Sequence, residues 1–178
     1  GGERLSPRHV RRALHACPSL TLINGYGPTE GTTFALTHPI TAADCDHAQG
    51  IPIGKAIRAT ATQVDWHDAD HDVGELIVGG PGVAVGYLGQ AHHGPESPFF
   101  RDGHQRWYRT GDLVRLDHNG VHAYVGRKDH QVKIQGHRIE IDEVERQLLS
   151  CPGVSEAVVV SMGERADQKF LATAIKAA

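Results

Sequence analysis

Three stretches of this chain set chemically capable side chains on an unusually tight backbone. In NGYGPTEG (24–31), glycines flank Tyr26, and Thr29 and Glu30 follow closely. Gly25 and Gly27 let a flat ligand approach the tyrosine, and aromatic stacking on a base contributes about 1–3 kcal/mol. Thr29 can hydrogen-bond a phosphate oxygen. Glu30 is a hard oxygen donor suited to Mg2+, which binds through one or two carboxylates plus phosphates and keeps waters. In YRTGDLVRL (108–116), Asp112 opens a β-run, where an acid can take both hydroxyls of a ribose. In YVGRKDHQVKIQGHRIE (124–140), Arg127 offers a planar fork for sugar or phosphate oxygens. Taken singly, each has a plainer reading: a turn with a solvated glutamate, an aspartate bonding its own backbone, and a charged hairpin end.

Three other patterns are set aside. HDADHD (67–72) carries His67 and His71 at i, i+4, but between two β-runs rather than on a helix, which favours a solvated turn. GGPGVAVG (79–86) has Val85 where a dinucleotide loop needs glycine, and nothing marks a following helix. His92 and His93 sit in a Pro/Gly-rich stretch with no partner at ligand spacing.

The elements that must position these residues follow from local pattern. Ser6-Pro7 places an N-cap and a first-turn proline before RHVRRALHAC, whose Val10, Ala13, Leu14 and Cys17 form one apolar face. Pro18 stops that helix, and LTLI (20–23) reads as a short strand running into the first motif. This is a helix–strand–loop unit of an α/β sheet, with its loop at the edge where ligands bind. From about residue 50 to 126, β-branched runs separated by turn residues predict antiparallel strands or a small barrel, with DHNG (117–120) a hairpin signal. QVKIQGHRI then reads as strand, turn and strand. IDEVERQLLS is a helix with Ile141, Val144 and Leu148 on one face, and SEAVVVS is a strand. These predict a βαβ-like start to a second, smaller domain. The boundary falls near Lys128-Asp129, giving segments 1–127 and 128–178.

The 178 residues, 39% hydrophobic and 22% charged, lie in the globular range. A net charge of −3 supplies no argument for nucleic acid or an anionic membrane, and no apolar run approaches a bilayer span. Three widely spaced cysteines, none in a CxxC pair, read as reduced thiols of a cytoplasmic protein.

Four segments in this order resemble the adenylation domains of nonribosomal peptide synthetases, within the adenylate-forming ligase superfamily. They are NGYGPTE (24–30), GELIVGGPGVAVGYL (74–88), YRTGDL (108–113) and GRKDHQVKIQGHRIEIDEVE (126–145), which together with their spacing span about two-thirds of the chain. The resemblance implies a mixed α/β fold. Residues 1–127 would be the C-terminal part of the large AMP-binding subdomain, a sheet edge plus a small antiparallel barrel, and 128–178 the beginning of a small, mobile α+β subdomain. It implies that ATP and an amino acid form an aminoacyl-adenylate, and that a phosphopantetheine thiol on a peptidyl carrier domain takes the acyl group. By carry-over, Tyr26 would stack on adenine, with Gly25 and Gly27 beside it, Thr29 would hold the α-phosphate and Glu30 would carry Mg2+. Asp112 would bind the ribose, with Tyr124 and Arg127 close to the same sugar. Asp129 would be the hinge, and Lys133, Gly136 and Arg138 would belong to the loop that enters the site for thiolation. Gly25, Thr33 and Phe34 would line the acyl pocket, with Gly1 a further candidate.

Departures from the family pattern are Gln135 and Val85, both where arginine is usual, and Asp142 in place of a common glycine. The stretch between Leu88 and Trp107 lacks the usual helix. The chain opens on GGERLSP and closes on FLATAIKAA, so the expectation is a piece of a longer protein. The phosphate loop and the substrate-gripping aspartate would lie upstream and the bridging lysine downstream, leaving the piece inactive alone. The alternatives are a fragment of an acyl- or aryl-CoA ligase and a non-catalytic remnant that binds nucleotide weakly.

Overall fold

The computed structural model describes residues 4–47, 50–66, 72–89, 97–129, 131–134, 137–163 and 168–177. The chain divides into two units, Gly1–Lys128 and Asp129–Ala178.

The first unit starts with helix α1 (Pro7–Ala16), its proline in the first turn where a missing N–H costs nothing. The Cys17 amide returns to the Ala13 carbonyl at 3.0 Å. The helix buries Val10 against Ile40, Cys45 and Ile51. Arg11 ties it to the short helical turn Ala43–Asp46 through the Cys45 carbonyl and the Asp46 carboxylate.

Strand β1 (Ile23–Tyr26) pairs antiparallel with β2 (Leu36–Pro39), which pairs with β3 (Lys55–Ala56). The strand expected over 20–23 is therefore displaced into the motif itself. Leu20 and Ile23 are exposed, and the apolar run lost to a register that buries Asn24 instead. The Asn24 side-chain amide donates to the Pro52 carbonyl at 2.8 Å, which meets the requirement that a buried polar group be bonded.

The antiparallel region is a sheet of five strands: β4 (Ala61–Trp66), β5 (Gly74–Gly79), β6 (Phe99–Asp102), β7 (Gln105–Leu116) and β8 (His122–Arg127). Strand β5 is buried at every position and lies between β4 and β7. One edge of the long β7 is bonded by β5, the other by β6 and then by β8. Leu36, Leu76, Val78, Val83 and Val114 are almost wholly enclosed and form the centre of the main core, against which Tyr26, Tyr87 and Tyr124 pack from its margin. Apolar burial contributes roughly 25 cal/mol per Å2, so these rings are seated by the same force that closes the sheet.

In the second unit, β9 (Gln131–Ile134) and β10 (His137–Glu140) form an antiparallel hairpin. Helix α2 (Ile141–Leu149) follows, with Asp142 and Glu143 in its first turn. Strand β11 (Val154–Met162) then pairs antiparallel with β12 (Phe170–Ala177). The β-α-β order is present, but β11 pairs with its successor rather than with the strands before the helix. The ribbon's Val159 is buried and its N–H donates to Glu145 on α2 at 2.8 Å, while Val158, Val160, Met162 and Phe170 are exposed. No helix among the described residues is long and apolar enough to cross a membrane.

Candidate functional site

Asp112 owes its placement to an irregularity in β7. Glu75 pairs with Leu113 and Ile77 with Arg109, so Leu76 alone stands opposite Thr110, Gly111 and Asp112. Such a bulge bends the strand and re-aims a side chain, and bulges concentrate beside functional sites. Gly111 takes φ +70°, a left-handed conformation that glycine adopts without strain. Thr110 satisfies the bulge internally: its hydroxyl donates to the Leu76 carbonyl at 2.7 Å and accepts the Asp112 N–H at 3.0 Å. Asp112 is left buried, at 4% exposure, with its carboxylate pointed at two other candidate residues.

One of these is Tyr26, whose hydroxyl donates to Asp112 Oδ2 at 2.5 Å. Burial, and then the neighbouring Asp112 carboxylate, push the phenol well above its ordinary titration range, so it remains a donor. The other is Arg127, which lies opposite Asp112 in the β7–β8 ladder. Its Nη1 donates to Asp112 Oδ1 at 3.1 Å and to the Thr110 carbonyl at 2.8 Å. Tyr124 is close enough to add to the electrostatic pressure on the Tyr26 phenol. Tyr26, Asp112, Tyr124 and Arg127 therefore form one cluster drawn from β1, β7 and β8.

Glu30 sits a turn further on, in the short helical turn Thr29–Gly31. Its Oε1 accepts the Tyr87 hydroxyl at 2.5 Å, and Tyr87 lies 3.4 Å from the Tyr108 hydroxyl. The turn is fastened from outside by the GGPGVAVG segment: the Ala84 N–H donates to the Glu30 carbonyl at 2.8 Å, and the Thr32 hydroxyl to the Gly82 carbonyl at 2.7 Å. Thr29 is exposed while Glu30 is buried. Glu30 thus faces the tyrosine pair, not the Asp112 carboxylate. A hard carboxylate is the donor type that Mg2+ takes, and Glu30 is the one that this turn supplies.

Gly25 and Gly27 are close-approach positions. A Cβ on Gly25 would lie 2.6 Å from the Phe34 ring, and one on Gly27 would lie 2.6 Å from the Thr33 carbonyl oxygen. The Thr33-Phe34 segment therefore folds directly over the β1 backbone, held by the Ala35 N–H to the Tyr26 carbonyl at 2.7 Å. Thr33 and Phe34 are exposed.

Asp129 is exposed, opens the second unit, and its Oδ1 accepts the Gln131 N–H at 3.1 Å. Lys133 and Arg138 face each other across the β9–β10 hairpin. Gly1, Gln135 and Gly136 lie outside the described residues, as do His67, His71, His92 and His93. Thr110, Tyr87 and Glu75 went unassigned in the sequence, although all three lie inside the quoted motifs. The bulge that Thr110 and Glu75 serve is a mismatch between two strands, and neither strand alone signals it.

The AMP-binding enzyme family model matches residues 1–88. Gramicidin S synthase 2 of Brevibacillus brevis is 43% identical over 96% of this chain, which spans 4% of that protein's length. Among solved structures, holo-PA1221, a peptide synthetase protein containing adenylation and carrier (PCP) domains bound to a vinylsulfonamide inhibitor, superposes with a TM-score of 0.86. It is 38% identical, and the match covers 100% of this chain and 32% of that one. The Vibrio cholerae adenylation domain AlmE, in complex with glycyl-adenosine-5'-phosphate, matches with a TM-score of 0.80 at 28% identity, over 97% of this chain and 34% of its own.

Proposed function

We propose that the chain is part of an adenylation domain of a nonribosomal peptide synthetase, within the AMP-binding enzyme family, and that it forms the nucleotide-gripping part of an amino-acid-activating ligase. The observation that carries this reading is the junction of Tyr26 and Arg127 on the Asp112 carboxylate. Residues from separate motifs meet at one carboxylate, an acceptor of the kind that two adjacent sugar hydroxyls require.

In the reaction, a carboxylate oxygen of the amino acid attacks the α-phosphorus of ATP. The bond to pyrophosphate breaks and an aminoacyl-adenylate forms. A phosphopantetheine thiol of a carrier domain then attacks the acyl carbon and AMP leaves. Two anions must be held in line at roughly 3–3.5 Å, so positioning and charge screening supply most of the catalysis. Asp112 accepts the ribose hydroxyls, with Arg127 holding its second oxygen and Tyr124 beside the sugar. The Tyr26 ring stacks on adenine. Thr29, exposed at the start of its turn, donates to the α-phosphate. Glu30 would hold Mg2+, which supplies charge neutralisation on the phosphates when bound. Gly25, Thr33 and Phe34 line the acyl pocket. Asp129 is the hinge, and the hairpin carrying Lys133 and Arg138 serves the thiolation step. A cytoplasmic location goes with this reading.

The peptide-synthetase relatives support an amino acid over the acyl- or aryl-CoA ligase alternative. Amino-acid-dependent exchange of pyrophosphate into ATP, measured on the full-length protein that contains this chain, tests the proposal. Exchange stimulated by one or a few amino acids is expected. Exchange with none, or transfer of an acyl group to free coenzyme A in preference to a carrier domain, overturns it.

A further inference from the structure

Glu75 is a carboxylate 4% exposed, and its bonds lead to residues flanking Asp112 rather than to Asp112 itself. Its Oε1 accepts the Gly111 N–H at 3.1 Å. Its Oε2 lies 3.3 Å from Lys128 Nζ and 3.2 Å from Arg109 Nη1. Gly111 is held on both sides, because its carbonyl accepts the Lys128 N–H at 2.8 Å. Arg109 has a second carboxylate, Asp65, at 2.7 Å.

A bulge leaves its extra residues without ladder partners. Here the Gly111 N–H finds its acceptor in a side chain from the neighbouring strand. A buried carboxylate is tolerated when donors and cations surround it, and Gly111, Arg109 and Lys128 are those groups. Lys128 is the last residue of the first unit. We propose that Glu75 is a positioning residue, whose one carboxylate sets both the bulge that aims Asp112 and the anchorage of Lys128, from which the second unit departs. Its effect on catalysis rests on the reading of Asp112 as a ribose ligand; its effect on the backbone does not.

Two variants separate the tasks. Glu75→Gln keeps an oxygen acceptor for the Gly111 N–H but loses the charge that holds Lys128. Glu75→Ala loses both. In the purified protein, Glu75→Ala is expected to speed amide hydrogen exchange at Gly111 about tenfold, and trypsin cleavage after Lys128 by a similar factor. Glu75→Gln is expected to raise the cleavage and leave Gly111 protected. Asp65→Asn, which removes the charge of the other carboxylate on Arg109, should change neither. With the adenylation reaction as readout, Glu75→Ala should raise the KM for ATP about tenfold with little change in kcat. Wild-type rates at both Gly111 and Lys128 in Glu75→Ala overturn the proposal. So does an even rise in exchange across Leu76, Gly111 and Val114, which marks general loosening. A wild-type protein without pyrophosphate exchange would remove the functional reading and leave the exchange and cleavage results to decide this one.

Discussion

The Tyr26 hydroxyl donates to Asp112 Oδ2 at 2.5 Å, joining residues 86 positions apart. The tyrosine thus has two faces to its chemistry, a ring on the margin of the core and a hydroxyl that fixes the carboxylate beneath the proposed sugar. Tyr26→Phe separates them. A hydrogen bond to a charged group contributes about 1.5–3 kcal/mol, so the KM for ATP should rise at least about tenfold while adenine analogues keep their ranking. Asp112→Asn, which keeps the shape and loses the charge shared with Arg127, should weaken ATP use by about 1.5–3 kcal/mol. Steady-state kinetics with ATP and 2'-deoxyATP provide the check: the 2'-hydroxyl should matter less in Asp112→Asn than in the wild type.

Glu30→Gln preserves the acceptor for the Tyr87 hydroxyl and removes the negative charge. The thermal midpoint should stay close to wild type, while the Mg2+ concentration for half-maximal pyrophosphate exchange rises at least about fivefold, as expected for a site relying on one carboxylate. A magnesium titration of both proteins measures this, and superimposed curves would remove Glu30 from the metal.

Gly25→Ala introduces a Cβ 2.6 Å from the Phe34 ring. The ring is 46% exposed and has room to swing away from β1. Relative kcat/KM between the preferred amino acid and its nearest competitor should change by about tenfold, the scale of a methylene-sized change in a pocket. Adding Phe34→Ala to Gly25→Ala should abolish the sensitivity. A substrate panel giving the wild-type ranking for both variants would place Phe34 outside the pocket.

His122 makes stability depend on pH. Its imidazole is 4% exposed, with Nδ1 at 3.0 Å from the Gly54 carbonyl. Burial lowers its titration range, only partly opposed by the Gly54 bond. The unfolded chain therefore takes up a proton below about pH 6.5 that the folded chain refuses. Stability is complete above that value and falls as pH drops through it. Asp44 acts in a lower window. Burial opposes its charge, but the Thr41 N–H and hydroxyl, with His38, hold its carboxyl below the usual range, so its contribution is lost only in stronger acid. Chemical denaturation at pH 7.5 and 5.5 should show a loss in the wild type that His122→Gln reduces. Parallel losses in both proteins would assign the slope to other groups.

Local chemistry made α1, the β9–β10 hairpin and α2 legible in the sequence: a first-turn proline after a serine at the N-cap position, a turn between β-runs, and an apolar face at helical spacing. The pairing of Tyr26 with Asp112 was reachable only because both residues lie in recognisable motifs. The extent of β1 was not legible, because the LTLI run has the stronger apolar signal while pairing with β2 and β3 decides which residues form the strand. The bulge at Thr110, Gly111 and Asp112 was equally hidden. It is a mismatch between two strands, and neither strand alone carries it. Glu30 facing Tyr87 and Tyr108, and β11 pairing with β12, belong to the same class of long-range facts.

The long β7 gives the site a further property. Its bend exists only once β5 supplies Glu75 and Leu76 on one edge and β8 supplies Arg127 on the other. A half-assembled sheet lacks the cluster of Tyr26, Asp112 and Arg127, so under the proposed function a bound nucleotide would draw the conformational equilibrium toward the finished topology by mass action. Occupancy by nucleotide would in that case be a quality check that the protein performs on its own assembly.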